Sequence, residues 1–153
     1  MNKKELLENK EKAIEMYSKI QPRYRKLPIL TKKEKKELGV GKDLGKASVS
    51  NIRVSASKAG LLLDLIRGKK LDEAKAICRN IHRKASPFVL KLLDSAEANA
   101  VNNNELDKSL LYVAEAYANQ GPTMKRIKPR ARGSANRIRK RTSHITLVLK
   151  EIK

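Results

Sequence analysis

A chain of 153 residues supports one domain with room for an extension, and its formal charge of +20 is far outside the ordinary range. Such an excess of positive charge points to a polyanionic partner, with nucleic acid as the first candidate. No run approaches the ~20 apolar residues of a membrane span, the N-terminus lacks the apolar segment of a secretory signal, and the single Cys78 permits no internal disulfide, so a cytoplasmic protein is expected.

The positive charge is unevenly divided along the chain. Counting Lys and Arg against Asp and Glu gives +7 for residues 1–46, +3 for residues 47–122 and +10 for residues 123–153. A nearly balanced centre is typical of a folded body. We therefore expect a basic, partly helical N-terminal extension over 1–46, a globular RNA-binding body built from 47–122 and 143–153, and an extended β-hairpin over 123–142.

The N-terminal extension carries two helical patterns. Residues 2–20 predict a helix whose apolar stripe is formed by Leu6, Ala13, Tyr17 and Ile20. A second short helix is predicted from Lys32 to Leu38, before a glycine-rich linker. Two interpretations stay open for this segment: a solvated tail, or an arm that becomes ordered on RNA.

Three amphipathic helices are predicted in the body. The first follows an N-cap at Ser57 and ends at Gly68, the second opens at Asp72 and stops near residues 80–84, and the third opens with Ser86 as cap and Pro87 in its first turn. Spacing of i, i+3, i+4 and i+7 predicts their buried positions. These are Ala59, Leu62, Leu63 and Ile66, then Ala74, Ile77, Cys78 and Ile81, then Val89, Leu92, Leu93, Ala96 and Ala100, with fraying expected at Asn102–Asn104.

Strand patterns flank these helices. Residues 48–54 predict a short strand, and residues 109–119 alternate as a strand does, although their alanines leave a helix open. Residues 145–152 place Ile145, Leu147 and Leu149 on one side of a C-terminal strand. The last two strands can pair antiparallel under the helices. The predicted fold class is α+β, with three helices packed on a small antiparallel sheet and a long basic β-hairpin extension.

The hairpin segment is the most unusual stretch of the chain. Nine Arg or Lys residues lie between Lys125 and Arg141 with no Asp or Glu, and the small residues 133–136 predict the chain reversal. Read with a period of two, neither face of either arm is apolar, so the hairpin has no side to bury against its own protein. Pro129 argues against a regular ladder throughout the hairpin, so local breaks are expected. The natural complement of such a ribbon is a polyanion that surrounds it.

Catalytic and metal-binding patterns are missing. His82 and His144 lack partners at ligand spacing, and Asp94 and Glu97, one turn apart, are more typical of surface charge than of acid–base catalysis. No enzyme, metal or cofactor is therefore expected. An aromatic content of 3% argues against base-stacking surfaces and favours recognition of the backbone and shape of folded RNA. The alternatives are a DNA-compacting protein and an enzyme acting on RNA.

Three stretches closely resemble the bacterial large-subunit ribosomal protein twenty-two family. They are GPTMKRIKPRARGSANRIRKRTSHITLVL from Gly121 to Leu149, DLIRGKK from Asp64 to Lys70, and SAEANAVNN from Ser95 to Asn103. The resemblance implies a structural, early-assembling protein of the large ribosomal subunit whose hairpin lines the peptide exit tunnel. It also implies neighbours: ribosomal RNA, large-subunit ribosomal protein four and the nascent peptide, without a membrane or a homo-oligomer. The family links the segment Met124–Arg126 to macrolide sensitivity.

The charge pattern and the resemblance together define the expected RNA-binding residues. They are Arg53, Ser57, Lys58, Arg67, Lys69, Lys70, Met124, Lys125, Arg126, Lys128, Arg130, Arg132, Gly133, Arg137, Arg139, Lys140, Arg141, Thr142 and His144. The sequence departs from the family pattern at four positions, namely Lys128, Ser134, Asn136 and Arg139. The resemblance therefore supports the arms of the hairpin more strongly than its tip, and it does not extend to residues 1–46.

Overall fold

The computed structural model describes residues 9–18, 28–40 and 42–152 and divides the chain into two compact units, Met1–Leu44 and Gly45–Lys153. The helices are α1 (Lys10–Ser18), α2 (Lys32–Leu38), α3 (Ala56–Ile66), α4 (Leu71–Asn80) and α5 (Ser86–Ala98). The strands are β1 (Leu44–Ile52), β2 (Leu111–Gln120), β3 (Met124–Pro129), β4 (Ala135–Lys140) and β5 (Ser143–Glu151).

The N-terminal unit has a small apolar core of its own. Ala13 on α1 and Leu38 on α2 are buried, and Tyr17 packs against them. Thr31 and Glu34 form a reciprocal cap at the start of α2: the Thr31 N–H donates to Glu34 Oε2 (2.8 Å), and the Glu34 N–H donates to Thr31 Oγ1 (3.3 Å). The helix predicted over 2–20 is described only as α1, and Leu6 and Ile20 of its stripe lie outside the described residues.

The second unit is an α+β body, which confirms the predicted fold class. Its sheet has the strand order β1-β5-β2, with β2 and β5 antiparallel, and α3, α4 and α5 pack against it. The strand interpretation of residues 109–119 is correct, because alternate β2 side chains enter the core. Those core residues are Leu111, Val113 and Ala116, and Val113 and Ala116 lie opposite Leu149 and Leu147 of β5.

The predicted helix stripes are buried except for that of α4, where Ile77 and Ile81 are only half-buried. The predicted N-caps are wrong by one or two residues. Ser55, not Ser57, caps α3: its side chain accepts the Lys58 N–H at 3.4 Å. Ser86 lies inside α5, where its hydroxyl donates to the Ile81 carbonyl at 2.6 Å instead of capping the helix. At α3 either of two nearby serines could satisfy the cap, whereas at α5 the N-cap is Ala85, without a side-chain cap, because the Ser86 hydroxyl is used in the bond to Ile81.

The end of α5 continues into a wide turn and does not fray as predicted. Residues Asn99–Asn103 form a π-helical turn, and the Asn99 side chain donates to the Lys46 carbonyl (2.9 Å). Strand β1 passes this turn at Gly45, where an added Cβ would lie 2.6 Å from both the Ala100 Cβ and the Ala96 carbonyl oxygen. Gly45 therefore permits the close approach that seats β1, and this strand starts four residues earlier than expected.

The edge of β2 is covered by the turn between α3 and α4. Gly68 takes the left-handed conformation (φ 77°) predicted for the end of α3, its N–H donates to the Val113 carbonyl (2.8 Å), and the Val113 N–H donates to Lys69 (2.9 Å). The register of β2 against β5 then shifts between Val113 and Glu115. This bulge keeps the two halves of β2 facing the same core.

Asp94 and Glu97, considered as surface charges or paired carboxylates, form an ion-pair cluster between α4 and α5. Lys75 lies 2.6 Å from Asp94 and contacts Glu97, which also binds Lys108 at 2.8 Å. Burial disfavours the charged form of Lys75, but both carboxylates outweigh burial and raise its pKa. Burial likewise acts to raise the pKa of Glu97, but Lys108 and Lys75 outweigh it and lower that pKa.

Cys78 is a core residue, as its helical spacing predicts. Its side chain is 3% exposed, and burial raises the pKa of the thiol to about 11. The thiol therefore stays protonated at neutral pH.

Candidate nucleic-acid interface

Strands β3 and β4 form the predicted hairpin, and its register leaves only one directly opposed pair of cations. Lys125 faces Arg139, but the other directly opposed pairs combine a cation with a neutral residue or contain no cation at all. These pairs are Met124 with Lys140, Arg126 with Ile138, Ile127 with Arg137, Lys128 with Asn136, and Pro129 with Ala135. Repulsion across the hairpin is therefore smaller than the number of cations suggests.

Both faces of the hairpin are solvent-exposed. Every residue from 125 to 141 is exposed, including Ile127 (69%) and Ile138 (43%), which lie on opposite faces. None of the nine cations forms an ion pair within the part of the chain that the structure describes. The hairpin thus presents uncompensated positive charge on two sides and buries neither.

One face of the hairpin forms a cationic cleft at its base. The cleft has a volume of about 420 Å³ and is lined by Gln120, Thr123, Lys125, Arg137, Arg139 and Arg141. Four of these six side chains are cations, and the lining contains no carboxylate. Converging Arg and Lys side chains with two neutral polar groups are suited to oxygen atoms of a phosphate backbone.

The tip reverses the chain earlier than the small residues 133–136 predict. The turn is Ala131–Gly133, with Arg132 (φ 57°) and Gly133 (φ 71°) in the left-handed region, and it is closed by the Arg130 N–H donating to the Ser134 carbonyl (2.9 Å). Ala135 and Asn136 belong to β4. The local breaks expected from Pro129 do not occur within β3 and β4, because pairing continues in register to Pro129 opposite Ala135. A proline is tolerated there because it occupies the last position of the ladder.

The ladder is interrupted instead at the neck, residues 121–123 and 141–142, between the hairpin and the body sheet. Here the Gly121 N–H donates to the Thr142 carbonyl (3.0 Å), and the buried Thr142 hydroxyl donates to the Pro122 carbonyl (2.6 Å). Next to the neck, His144 Nδ1 on β5 accepts the Asn51 N–H of β1 at 3.2 Å. Thr142 and His144 are both expected to contact RNA. In this structure Thr142 joins the two sides of the neck, and His144 joins β5 to β1.

The expected RNA-binding residues of the body fall into two groups. Arg67 is held internally, since it donates to the Ala116 carbonyl (2.5 Å) and pairs with Asp64 (3.0 Å). All six members are solvent-exposed, Arg67 included, and none of them lines the hairpin cleft. Lys69 and Lys70 lie in the turn that covers β2, whereas Arg53, Ser57 and Lys58 lie around the start of α3.

Two basic residues that were not predicted to bind RNA lie beside Lys58. Arg83 and Lys84, in the loop between α4 and α5, line a groove with Lys58. Their signal was present in the sequence, since residues 74–93 contain Lys and Arg but no Asp or Glu. The neighbouring apolar residues have helical periodicity, and that pattern predicts helices but not a basic groove between them.

The described residues contain neither a cluster of metal ligands nor a helix that could cross a membrane. Among residues 9–18, 28–40 and 42–152, no three His, Cys, Asp or Glu side chains come together as metal ligands would. No helix in those ranges has the length and apolar character needed to cross a membrane.

Comparison with known proteins identifies relatives over most of the chain. Residues 47–150 match the family described as Ribosomal protein L22p/L17e. The chain is 66% identical over 123 residues to the large ribosomal subunit protein uL22 of Acetivibrio thermocellus, covering 80% of this chain and 98% of that protein. It is 61% identical to uL22 of Lachnospira eligens (69% and 82% covered) and 55% identical to uL22 of Clostridioides difficile (71% and 97% covered).

Proposed function

Because the chain belongs to the ribosomal protein L22p/L17e family, we propose that it binds large-subunit ribosomal RNA through its basic hairpin, with the α+β body as anchor. Family membership makes the chain a structural, non-catalytic component of the large ribosomal subunit and gives the ribosome as its location. The RNA contacts, the role in assembly and the position of the hairpin are proposals.

The cationic cleft at the base of the hairpin is the observation that carries the RNA-binding proposal. Lys125, Arg137, Arg139 and Arg141 converge on it from β3 and β4, and no carboxylate in the hairpin offsets them. Confining four like charges is unfavourable unless an anion neutralises them. RNA phosphates satisfy this requirement, and the exposed opposite face leaves Arg126, Lys128 and Lys140 for further phosphates.

The proposed division of labour follows the three segments predicted from the charge. The body, residues 47–122 and 143–153, supplies a packed core and additional basic positions, and residues 123–142 supply the principal RNA contacts. Residues 1–46 supply an arm beyond the matched family region. We propose that the hairpin binds the RNA early, while the RNA is still folding, and that it supports assembly in this way.

We also propose that the hairpin lines the nascent-peptide exit tunnel, near large-subunit ribosomal protein four. Each six-residue strand spans roughly 20 Å, and the absence of an apolar face suits a hairpin that lies between RNA and an aqueous channel. The test is a photo-crosslinking residue at Ser134 in ribosomes stalled with a labelled nascent peptide. A crosslink to the peptide supports tunnel lining, and crosslinks to RNA alone contradict it.

RNA binding is tested by the salt dependence of affinity for large-subunit ribosomal RNA. If six to ten phosphates are contacted, affinity falls by roughly 10³–10⁵ between 50 and 200 mM salt. Replacing Arg137 and Arg139 with Gln should weaken binding and flatten this dependence. The charge-matched control Lys91→Gln/Lys150→Gln, outside the hairpin, should change both much less.

Two outcomes would contradict the proposal. A nearly flat salt response for the unmodified protein would show that phosphate contacts do not dominate its binding. Equal affinity for duplex DNA and ribosomal RNA would favour a DNA-compacting protein. Washing large subunits with salt supplies an independent measurement, because a ribosomal constituent should remain with the subunit as it sediments.

A further inference from the structure

The body carries a groove that the hairpin does not share. It has a volume of about 430 Å³ and lies between the first turns of α3 and the loop that joins α4 to α5. Val54 and Ala85 are buried in its floor, Leu61 forms a wall, and Lys58, Arg83 and Lys84 complete the lining. Its volume falls within the range of sites that bind small ligands or single groups of larger ones.

The charge around this groove is uncompensated. Residues 44–63 and 74–93, which include all the lining residues of the groove, contain no Asp or Glu. Lys58, Arg83 and Lys84 form no ion pair within the described residues, although Lys75, Arg67 and Lys108 of the same body do. The body thus neutralises cations elsewhere and leaves these three available to an anion.

The apolar wall of the groove limits the kinds of anion that would fit there. Leu61 is 56% exposed and Leu65, one turn later on α3, is 51% exposed, whereas the inner stripe of the same helix is fully buried. These outward leucines are not needed by the core of the body. An apolar surface beside three cations complements a group that joins a negative charge to a flat ring with apolar faces and polar edges, as each nucleotide does.

We propose that this groove is a second RNA-binding site, which takes an unpaired nucleotide of the ribosomal RNA. Lys58, Arg83 and Lys84 contact the phosphates on either side of the nucleotide, and its base packs against Leu61. The inference rests on the proposed function for the identity of the RNA. It extends that function to a site with a different mode of recognition, because the hairpin cleft has no apolar wall of this kind.

The first test places a photo-crosslinking residue at Leu61 in the full-length chain assembled into large subunits. Because Leu61 is more than half exposed, the substitution leaves the core intact. Crosslinking to one site in the ribosomal RNA supports the proposal. Crosslinking only to another protein would instead identify an apolar, acidic protein segment as the occupant, and it would overturn the proposal, as would no crosslink. The same residue at Leu110 (45% exposed), outside the groove, serves as the control and should not reach that RNA site.

The second test measures the affinity of Arg83→Gln/Lys84→Gln for large-subunit ribosomal RNA. Loss of two phosphate contacts to a single-stranded segment reduces the salt slope by about 1.4, so the loss of affinity should be about sevenfold larger at 50 mM than at 200 mM salt. The control Lys91→Gln/Lys150→Gln removes the same charge from the body outside the groove. If both variants behave alike, the groove proposal is wrong. The proposed function stands in that case as long as Arg137→Gln/Arg139→Gln still weakens binding.

Discussion

Replacing Gly121 with Ala should destabilise the neck of the hairpin. The added Cβ would lie 2.6 Å from Thr142 Oγ1 and 3.1 Å from His144 Nε2, and the first distance must widen to at least 3.4 Å to become an ordinary contact. Thr142 cannot yield easily, because its side chain is 4% exposed and its hydroxyl donates to the Pro122 carbonyl. Overpacking of this kind costs about 1–3 kcal/mol. Turning the hydroxyl away leaves it buried without a partner, at a similar cost of about 1–3 kcal/mol.

Urea unfolding followed by far-ultraviolet circular dichroism measures this cost. The matched control is Gly60→Ala: Gly60 lies within α3, an added Cβ there meets nothing within 4 Å, and the change should stabilise by about 0.5–1 kcal/mol. The two glycine substitutions therefore have opposite predicted signs. A double-mutant cycle with Thr142→Ala, which removes the nearest atom, should recover at least about 0.5 kcal/mol of the Gly121→Ala cost. Equal stability of Gly121→Ala and the unmodified protein would refute this account of the neck.

Three further measurements address the body and the hairpin. Leu93→Ala should cost about 2–5 kcal/mol in urea unfolding because the side chain is fully buried, whereas Leu61→Ala, at an exposed position, should stay within about 0.5 kcal/mol; equal effects would show that the inner stripe of α5 is misassigned. Glu97→Gln should destabilise at neutral pH. The folded-state pKa of Glu97 lies below its ordinary value of 4.5, so the stabilisation by its carboxylate is present above that pH and lost as the pH falls through the lowered pKa. The unfolding free energies of the variant and the unmodified protein should therefore converge in acid. A difference that persists in acid would assign the effect to packing. Hydrogen exchange of the RNA-free protein should be faster across residues 124–141 than in β2 and β5, and strong protection there would contradict ordering of the hairpin by RNA.

The helices and the central strands could be predicted because their residues repeat with the period of the structure they form. Leu62, Leu63 and Ile66 recur at helical spacing, and Ile145, Leu147 and Leu149 alternate, so burial alone selects the element. The helix ends could not be fixed in this way. Ser55 and Ser57 are chemically equivalent caps, and only the three-dimensional path of the chain before α3 decides between them.

Long-range contacts account for most of what the sequence concealed. The neck depends on Gly121 meeting Thr142, twenty-one residues away, and the Lys75 cluster joins two helices. The basic groove combines Lys58 with Arg83 and Lys84, which are too far apart in sequence for any local pattern to connect. The cations of the hairpin cleft could be predicted from the sequence because all of them lie within residues 125–141, a short run without Asp or Glu.

The cations of the hairpin also disfavour one alternative alignment of its two strands. Sliding β4 by one residue so that Lys125 met Lys140 would also bring Arg126 opposite Arg139 and Lys128 opposite Arg137. Three cationic pairs would then replace the single pair of Lys125 with Arg139 seen in the structure. Because directly opposed like charges are destabilising, the cations that attract RNA also reject this misaligned hairpin before RNA arrives. High salt screens that repulsion, so it should weaken the preference for the observed alignment over this one as well as the affinity for RNA.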